Sequence, residues 1–218
     1  FALLAVPAAI TLGLLFVARR IHPRPEDLEA AAPQGDGRRL PRTFWVYLVA
    51  AALVAAGSAD FPLIAYHLER AATVPTPWIP VLYAAAMGTS GAGALVFGRL
   101  FDRSGIRVLV PLTILAAGYA PLAFLGGPWA AALGASLWGL GMGVHESLVP
   151  AAVAPMVPPE RRPSAYGLFT AGYGVAWFLG SAAMGALYEV SLPALVGCSV
   201  SLQLLAIPFL LRVRIPPR

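Results

Sequence analysis

The sequence predicts an all-α integral membrane protein, and three observations carry that expectation. Only 11% of the 218 residues are charged and 59% are hydrophobic, with a mean hydropathy of +0.76. A water-soluble domain carries about 25% charged residues. Uncharged apolar runs cover residues 71–98 and 108–144. That is too long for buried strands of about five residues and suits transmembrane helices of about 20. Finally, all fifteen basic residues are arginine, and they crowd into alternate loops.

Taken in order, seven hydrophobic segments can be marked, at 1–18, 44–68, 78–97, 108–126, 129–149, 164–187 and 190–211. Each is long enough to cross, or nearly cross, a hydrocarbon core of about 30 Å. The first begins at Phe1 without a Met or a basic leader region, so the chain is expected to start partway through a larger protein. Residues 19–43 form the longest polar stretch and read as a solvated connector rich in Pro, Gly and mixed charge. Gly126, Gly127 and Pro128 divide the longest uncharged run by a tight turn. Trp45, Trp78 and Trp129 stand near segment starts, where amphipathic rings favour the membrane interface.

The loops at 19–43, 98–107 and 150–163 and the C-terminal tail hold fourteen of the arginines, and the intervening loops hold only Arg70. The positive-inside rule places that set, and with it the C-terminus, in the cytoplasm of a multi-pass protein of the inner or plasma membrane. The net charge of +5 is therefore a topology signal, and no nucleic-acid partner is expected.

Composition also excludes chemistries. A chain without lysine has no Walker A phosphate loop and no pyridoxal or retinal Schiff base. The single Cys198 cannot build a disulfide framework or a thiolate metal centre. "HESLV" at 145–149 starts like a zinc-protease motif but has Val149 where the second histidine belongs. No metal, no cofactor and no catalytic residue is expected, and the protein is read as a non-enzyme.

An internal repeat spans the last six segments. Gly93, Gly98, Leu100, Phe101 and Asp102 agree in type with Gly180, Gly185, Leu187, Tyr188 and Glu189, 87 positions on. Gly57 and Asp60 match Gly143 and Glu146 at an offset of 86, and Pro121 matches Pro208. A unit of three helices crosses the membrane an odd number of times, so the second copy is inverted, as in many secondary transporters.

With these residues in view, the chain resembles the C-terminal half of a major facilitator superfamily transporter. The resemblance covers the whole chain. It implies that residues 1–18 are the last helix of a missing N-terminal half and 19–43 the cytoplasmic central linker. Residues 44–218 are then a six-helix bundle of two inverted three-helix repeats, about 44–126 and 129–211, with a short tail. "GRLFDRSGIR" at 98–107 is similar to the family's cytoplasmic signature through Gly98, Leu100, Asp102, Arg103, Gly105 and Arg107. It departs from that signature at Ser104 and Ile106. By resemblance this cluster gates the cytoplasmic side, with Asp102 facing the N-terminal end of a neighbouring helix.

Charges inside a bilayer are costly and mark functional positions. Asp60 and Glu146, beside His145, lie within spans that line the cavity in the family, and are candidates for contact with solute or proton. Tyr166, Tyr173 and Trp177 lie on the family's cavity-lining fifth helix, and Tyr173 and Trp177 join the candidates. Small-residue stripes, Ala131–Ala135–Gly139–Gly143–Ser147 and Gly172–Ala176–Gly180, read as close helix packing. The third and sixth helices face lipid in the family, with Gln203 as the main polar exception. The functional expectation is a secondary active transporter moving an unidentified small solute by alternating access, with coupling to protons through the buried carboxyls. The alternative is a seven-helix receptor or sensor.

Overall fold

The computed structural model describes residues 12–14, 16, 17, 20 and 40–213. The first six of these are helical. The remainder of the 1–18 segment, and residues 19 and 21–39 of the 19–43 connector, lie outside the described residues.

Within 40–213 the regular elements are all helical, joined by short turns. Helix α1 runs Arg42–Gly57 and α2 Phe61–Arg70. Helix α3 spans Ile79–Ser104, α4 Leu109–Ala117, α5 Tyr119–Leu125 and α6 Pro128–Gly143. A π-turn at Val144–Leu148 follows α6, then α7 at Arg162–Val190 and α8 at Leu192–Arg212. Three helical stretches are long and apolar enough to cross a membrane, Arg42–Arg70, Thr76–Leu125 and Leu192–Arg212. The expected spans at 129–149 and 164–187 do not reach the same measure. The π-turn cuts the regular α6 to 16 residues, and α7 is diluted by glycine, serine, threonine and tyrosine along its 29.

Three expected boundaries shift, each at a proline or glycine. The 44–68 segment is two helices, because Pro62 cannot donate a backbone hydrogen bond to Ser58 and the chain leaves helical geometry after Gly57. The 108–126 segment breaks at Gly118, next to the Ala117 carbonyl that Pro121, four residues further on, cannot bond. The 98–107 loop is mostly helix: α3 continues to Ser104, and the turn begins at Gly105, whose φ of 62° suits glycine. Arg99, Leu100, Asp102 and Arg103 therefore occupy the last turns of a helix.

Two apolar clusters hold the bundle. One gathers Phe44, Tyr47, Leu109, Val149, Phe169 and Leu210, and the other Ile64, Tyr119, Phe124, Ala135, Met184 and Leu195. Helix α1 packs against α7 and α8, and α3 against α6. The small-residue stripes make these contacts possible. A Cβ on Gly139 or Gly143 would collide with the backbone of Ala86 or Ser90 on α3, and one on Gly180 with the backbone of Ala56 on α1. Trp45, Trp78 and Trp129 are exposed.

Candidate functional site

At the end of α1 the chain at Ser58–Asp60 is unwound, and buried peptide groups there and on Gly57 must find partners. Side chains from three other helices supply them. The Ala59 N–H donates to the Tyr119 hydroxyl oxygen (2.7 Å), and Trp138 Nε1–H donates to the Ala59 carbonyl (2.7 Å). The Gly57 carbonyl accepts from Ser199 (2.6 Å), from Gln203 Nε2 (3.2 Å) and from the Tyr119 hydroxyl (3.3 Å). Gln203 is thus 1% exposed within the bundle, which corrects the expectation of a polar exception on a lipid-facing helix. Helix α8 lays Ser199 and Gln203, one turn apart, against α1.

The unwound segment places Asp60 at the N-cap of α2, yet its carboxylate makes no cap hydrogen bond to that helix. It reaches across to α7 instead. Trp177 Nε1–H donates to Oδ1 (2.7 Å) and Ser181 Oγ–H to Oδ2 (3.0 Å). Two donors at hydrogen-bond distance hold the carboxylate in one orientation.

The second expected acid arises from a different irregularity. Pro150 lacks the N–H that would bond the Glu146 carbonyl, and the helix widens into the π-turn, with the Val149 N–H bonded to Val144. His145 turns inward, buried, and lies edge-on to both Tyr173 and Trp177 at ring distances of 6.1 Å. Glu146 is exposed in this chain and within electrostatic range of Tyr173. Rings repeat every fourth residue along α7, with Phe169–Tyr173 at 5.9 Å and Tyr173–Trp177 at 5.8 Å. Trp177 therefore joins Asp60 to His145. Asp60, His145, Tyr173 and Trp177 form one contact group, with Glu146 at its edge. Tyr166 stays with the apolar cluster beside Phe44.

The reading of single residues missed Ser181, Tyr119, Ser199 and the π-turn. Pro62 and Pro150 were their available signals, since each removes the hydrogen bond that would keep its helix regular. Small hydroxyls such as Ser181 and Ser199 carry no signal of their own among the many in the chain.

The motif at 98–107, expected to gate, is differently placed. Arg99 donates to the Leu95 carbonyl of its own helix (3.1 Å). Among the described residues the side chains of Asp102, Arg103 and Arg107 make no hydrogen bond or ion pair, and all three are exposed. The expected contact of Asp102 with a neighbouring helix end is not among the contacts of the described residues. A Cβ on Gly98 would meet open space, so this glycine serves no close approach inside the chain.

At the opposite end, Arg70 of α2 meets Glu189 of α7 at 2.9 Å and donates to the Tyr66 hydroxyl at 3.1 Å. His67 Nδ1 lies 3.2 Å from the Tyr188 hydroxyl. The lone arginine of the loops expected outside thus pairs with the acid that the repeat matches to Asp102.

Comparison with known proteins agrees with this architecture. The family described as Major Facilitator Superfamily matches residues 1–181 and, in an overlapping match, 46–218. The uncharacterized proteins Rv2265 of Mycobacterium tuberculosis and Mb2288 of Mycobacterium bovis are each 34% identical to the chain over 221 residues. Those alignments cover 98% of this chain and 54% of each relative, so the chain spans about half the length of the curated relatives it matches. The chain belongs to the major facilitator superfamily.

Proposed function

We propose that the chain is one half of a secondary active transporter that moves a small solute across the cell membrane by alternating access. The carrying observation is the Asp60 carboxylate, held by Trp177 and Ser181 at an interruption in a membrane helix. An ionisable group at a broken helix is the arrangement transporters use at their solute and coupling sites. The solute site then comprises Asp60, His145, Tyr173 and Trp177, with Glu146 at its rim, and Asp60 and Glu146 are the candidates for proton coupling. Alternation consists of rocking this half against a second six-helix half.

Helices α3 and α7 favour such a partner. Gly88, Gly91 and Gly98 on α3 and Gly167, Gly174 and Gly185 on α7 have open space where a side chain would begin. Small residues at a helix surface let another helix approach closely. The half-length alignment to the relatives is consistent with that missing half. In this reading the exposed Asp102, Arg103 and Arg107 latch against the missing half on the cytoplasmic side, and the C-terminus is cytoplasmic.

The test uses the full-length gene product reconstituted in liposomes and screened for saturable counterflow across solute classes, with and without a pH gradient. Transport that depends on Asp60 supports the reading. An absence of saturable flux for every solute class refutes it. Unchanged pH dependence in both Asp60→Asn and Glu146→Gln removes the proton-coupling part alone.

A further inference from the structure

We propose that one ordered water molecule sits between His145 and Gln203 and couples the π-turn to the interrupted helix. Two buried side-chain atoms at this place have no partner among the described residues, His145 Nδ1 and Gln203 Oε1. The two residues that carry them line the same cavity, of about 10 Å³, with Ser58, Tyr119, Trp138 and Gly141. That volume admits one water molecule and nothing larger.

The orientation of Gln203 is set by its other end. Its Nε2–H donates to the Gly57 carbonyl, and a flipped amide would oppose two acceptor oxygens. Oε1 therefore needs a donor from elsewhere. The side-chain donors that line the cavity beside Gln203 are occupied: Ser58 Oγ–H binds the Val54 carbonyl, Trp138 Nε1–H the Ala59 carbonyl, and the Tyr119 hydroxyl the Gly57 carbonyl. A water supplies the missing hydrogen. Its other side adapts to the imidazole, donating to a bare Nδ1 or accepting from a protonated one, while the bond to Gln203 is unchanged.

A neighbouring cavity of about 20 Å³ sharpens the assignment. It also touches His145, but its walls are mainly Ala51, Val54, Leu109, Leu112 and Val149. Its two hydroxyls, on Tyr47 and Thr113, already donate to the Val149 and Leu109 carbonyls. An apolar cavity of that kind stays dry. The water belongs in the smaller one.

The consequence is a positioning role for Gln203. Through the water it orients the imidazole that walls Tyr173 and Trp177, and Trp177 in turn holds Asp60. The positioning role rests on the transport reading above; the water site does not.

Gly141→Ala is the decisive variant. Gly141 lines both cavities beside His145, and the one neighbour within 4 Å of an added methyl is Ala116 Cβ at 3.4 Å, so the methyl takes up space between them without collision. The full-length protein, labelled with ¹⁵N-histidine in lipid nanodiscs, is compared with Gly141→Ala and Gln203→Met. His145→Gln assigns the resonance, and melting curves verify folding. A structure at a resolution that shows ordered water completes the set. The expected result is a density peak within hydrogen-bond distance of both side chains, lost in Gly141→Ala together with the hydrogen-bonded Nδ1 signal. An empty cavity in the wild type, or a folded Gly141→Ala whose His145 resonances are unmoved, overturns the proposal. Either outcome is independent of whether solute transport is found.

Discussion

Replacing Tyr119 by Phe tests whether the unwound segment depends on its side-chain partners. The hydroxyl has three partners, Ala59, Gly57 and the Ser199 hydroxyl at 3.2 Å, and they differ in weight. It is the recorded acceptor of the buried Ala59 N–H, at 2.7 Å, and it is one of three donors to the Gly57 carbonyl. A carbonyl has two lone pairs, so Gly57 keeps its full complement from Ser199 and Gln203. The Ala59 N–H is left with nothing, and an unsatisfied buried donor costs about 1–3 kcal/mol. Ser199→Ala is the matched control, because it removes one of the three donors and leaves two. Membrane-embedded side-chain hydrogen bonds average about 0.6 kcal/mol, so its cost is expected near that value. Reversible unfolding in mixed detergent micelles gives both free energies. The reasoning is refuted if Ser199→Ala costs as much as Tyr119→Phe, because redundancy at Gly57 would then count for nothing.

Other perturbations follow from the same geometry. Gly105→Ala forces a Cβ onto φ 62°, ψ −152°, a region nearly exclusive to glycine, and is expected to lower stability by about 1–3 kcal/mol in the same assay. Gly139→Ala drives a methyl into the Ala86 backbone and overpacks the α3–α6 contact by about 1–3 kcal/mol, whereas Gly88→Ala, facing open space, leaves this chain's packing unchanged. Trp177→Phe keeps a ring but deletes the donor to Asp60; a hydrogen bond to a charged group contributes about 1.5–3 kcal/mol, so solute affinity should fall roughly 10- to 100-fold in a counterflow assay. Glu189→Gln breaks an exposed ion pair with Arg70 and should barely move the melting temperature.

Much of the architecture could be read from composition, because a bilayer-sized apolar run admits few structures other than a helix. The site was legible in part for a related reason: an acid inside such a run is rare enough to single out Asp60 and Glu146. Their surroundings were harder. Pro62, Pro121 and Pro208 sit inside hydrophobic segments and Pro150 directly after one, yet they act differently. The first ends a helix, the second accompanies a break at Gly118, the third accompanies a π-turn, and the fourth is carried inside α8. Local chemistry is the same at each, so the outcome depends on what neighbouring helices offer to the freed carbonyls. Gln203 shows the same dependence. A polar residue on an apolar helix reads as an exception until the Gly57 carbonyl is seen opposite it. The seven-segment count was legible only as hydrophobicity, and the glycine- and tyrosine-bearing α7 falls short of that measure because its small residues serve close packing against α1.

The interruption at Ser58–Asp60 also has an order in time. Its partners are Tyr119, Trp138, Ser199 and Gln203, and the last of these leaves the ribosome some 140 residues after the segment it serves. A newly inserted 42–70 segment has no such groups beside it, and in lipid its cheapest conformation is the straightest helix that Pro62 allows. The bend is therefore completed late, when α8 arrives. Shortened chains that stop before residue 199 should carry the 42–70 segment in a straighter form, with Asp60 turned away from the place it occupies in the finished bundle.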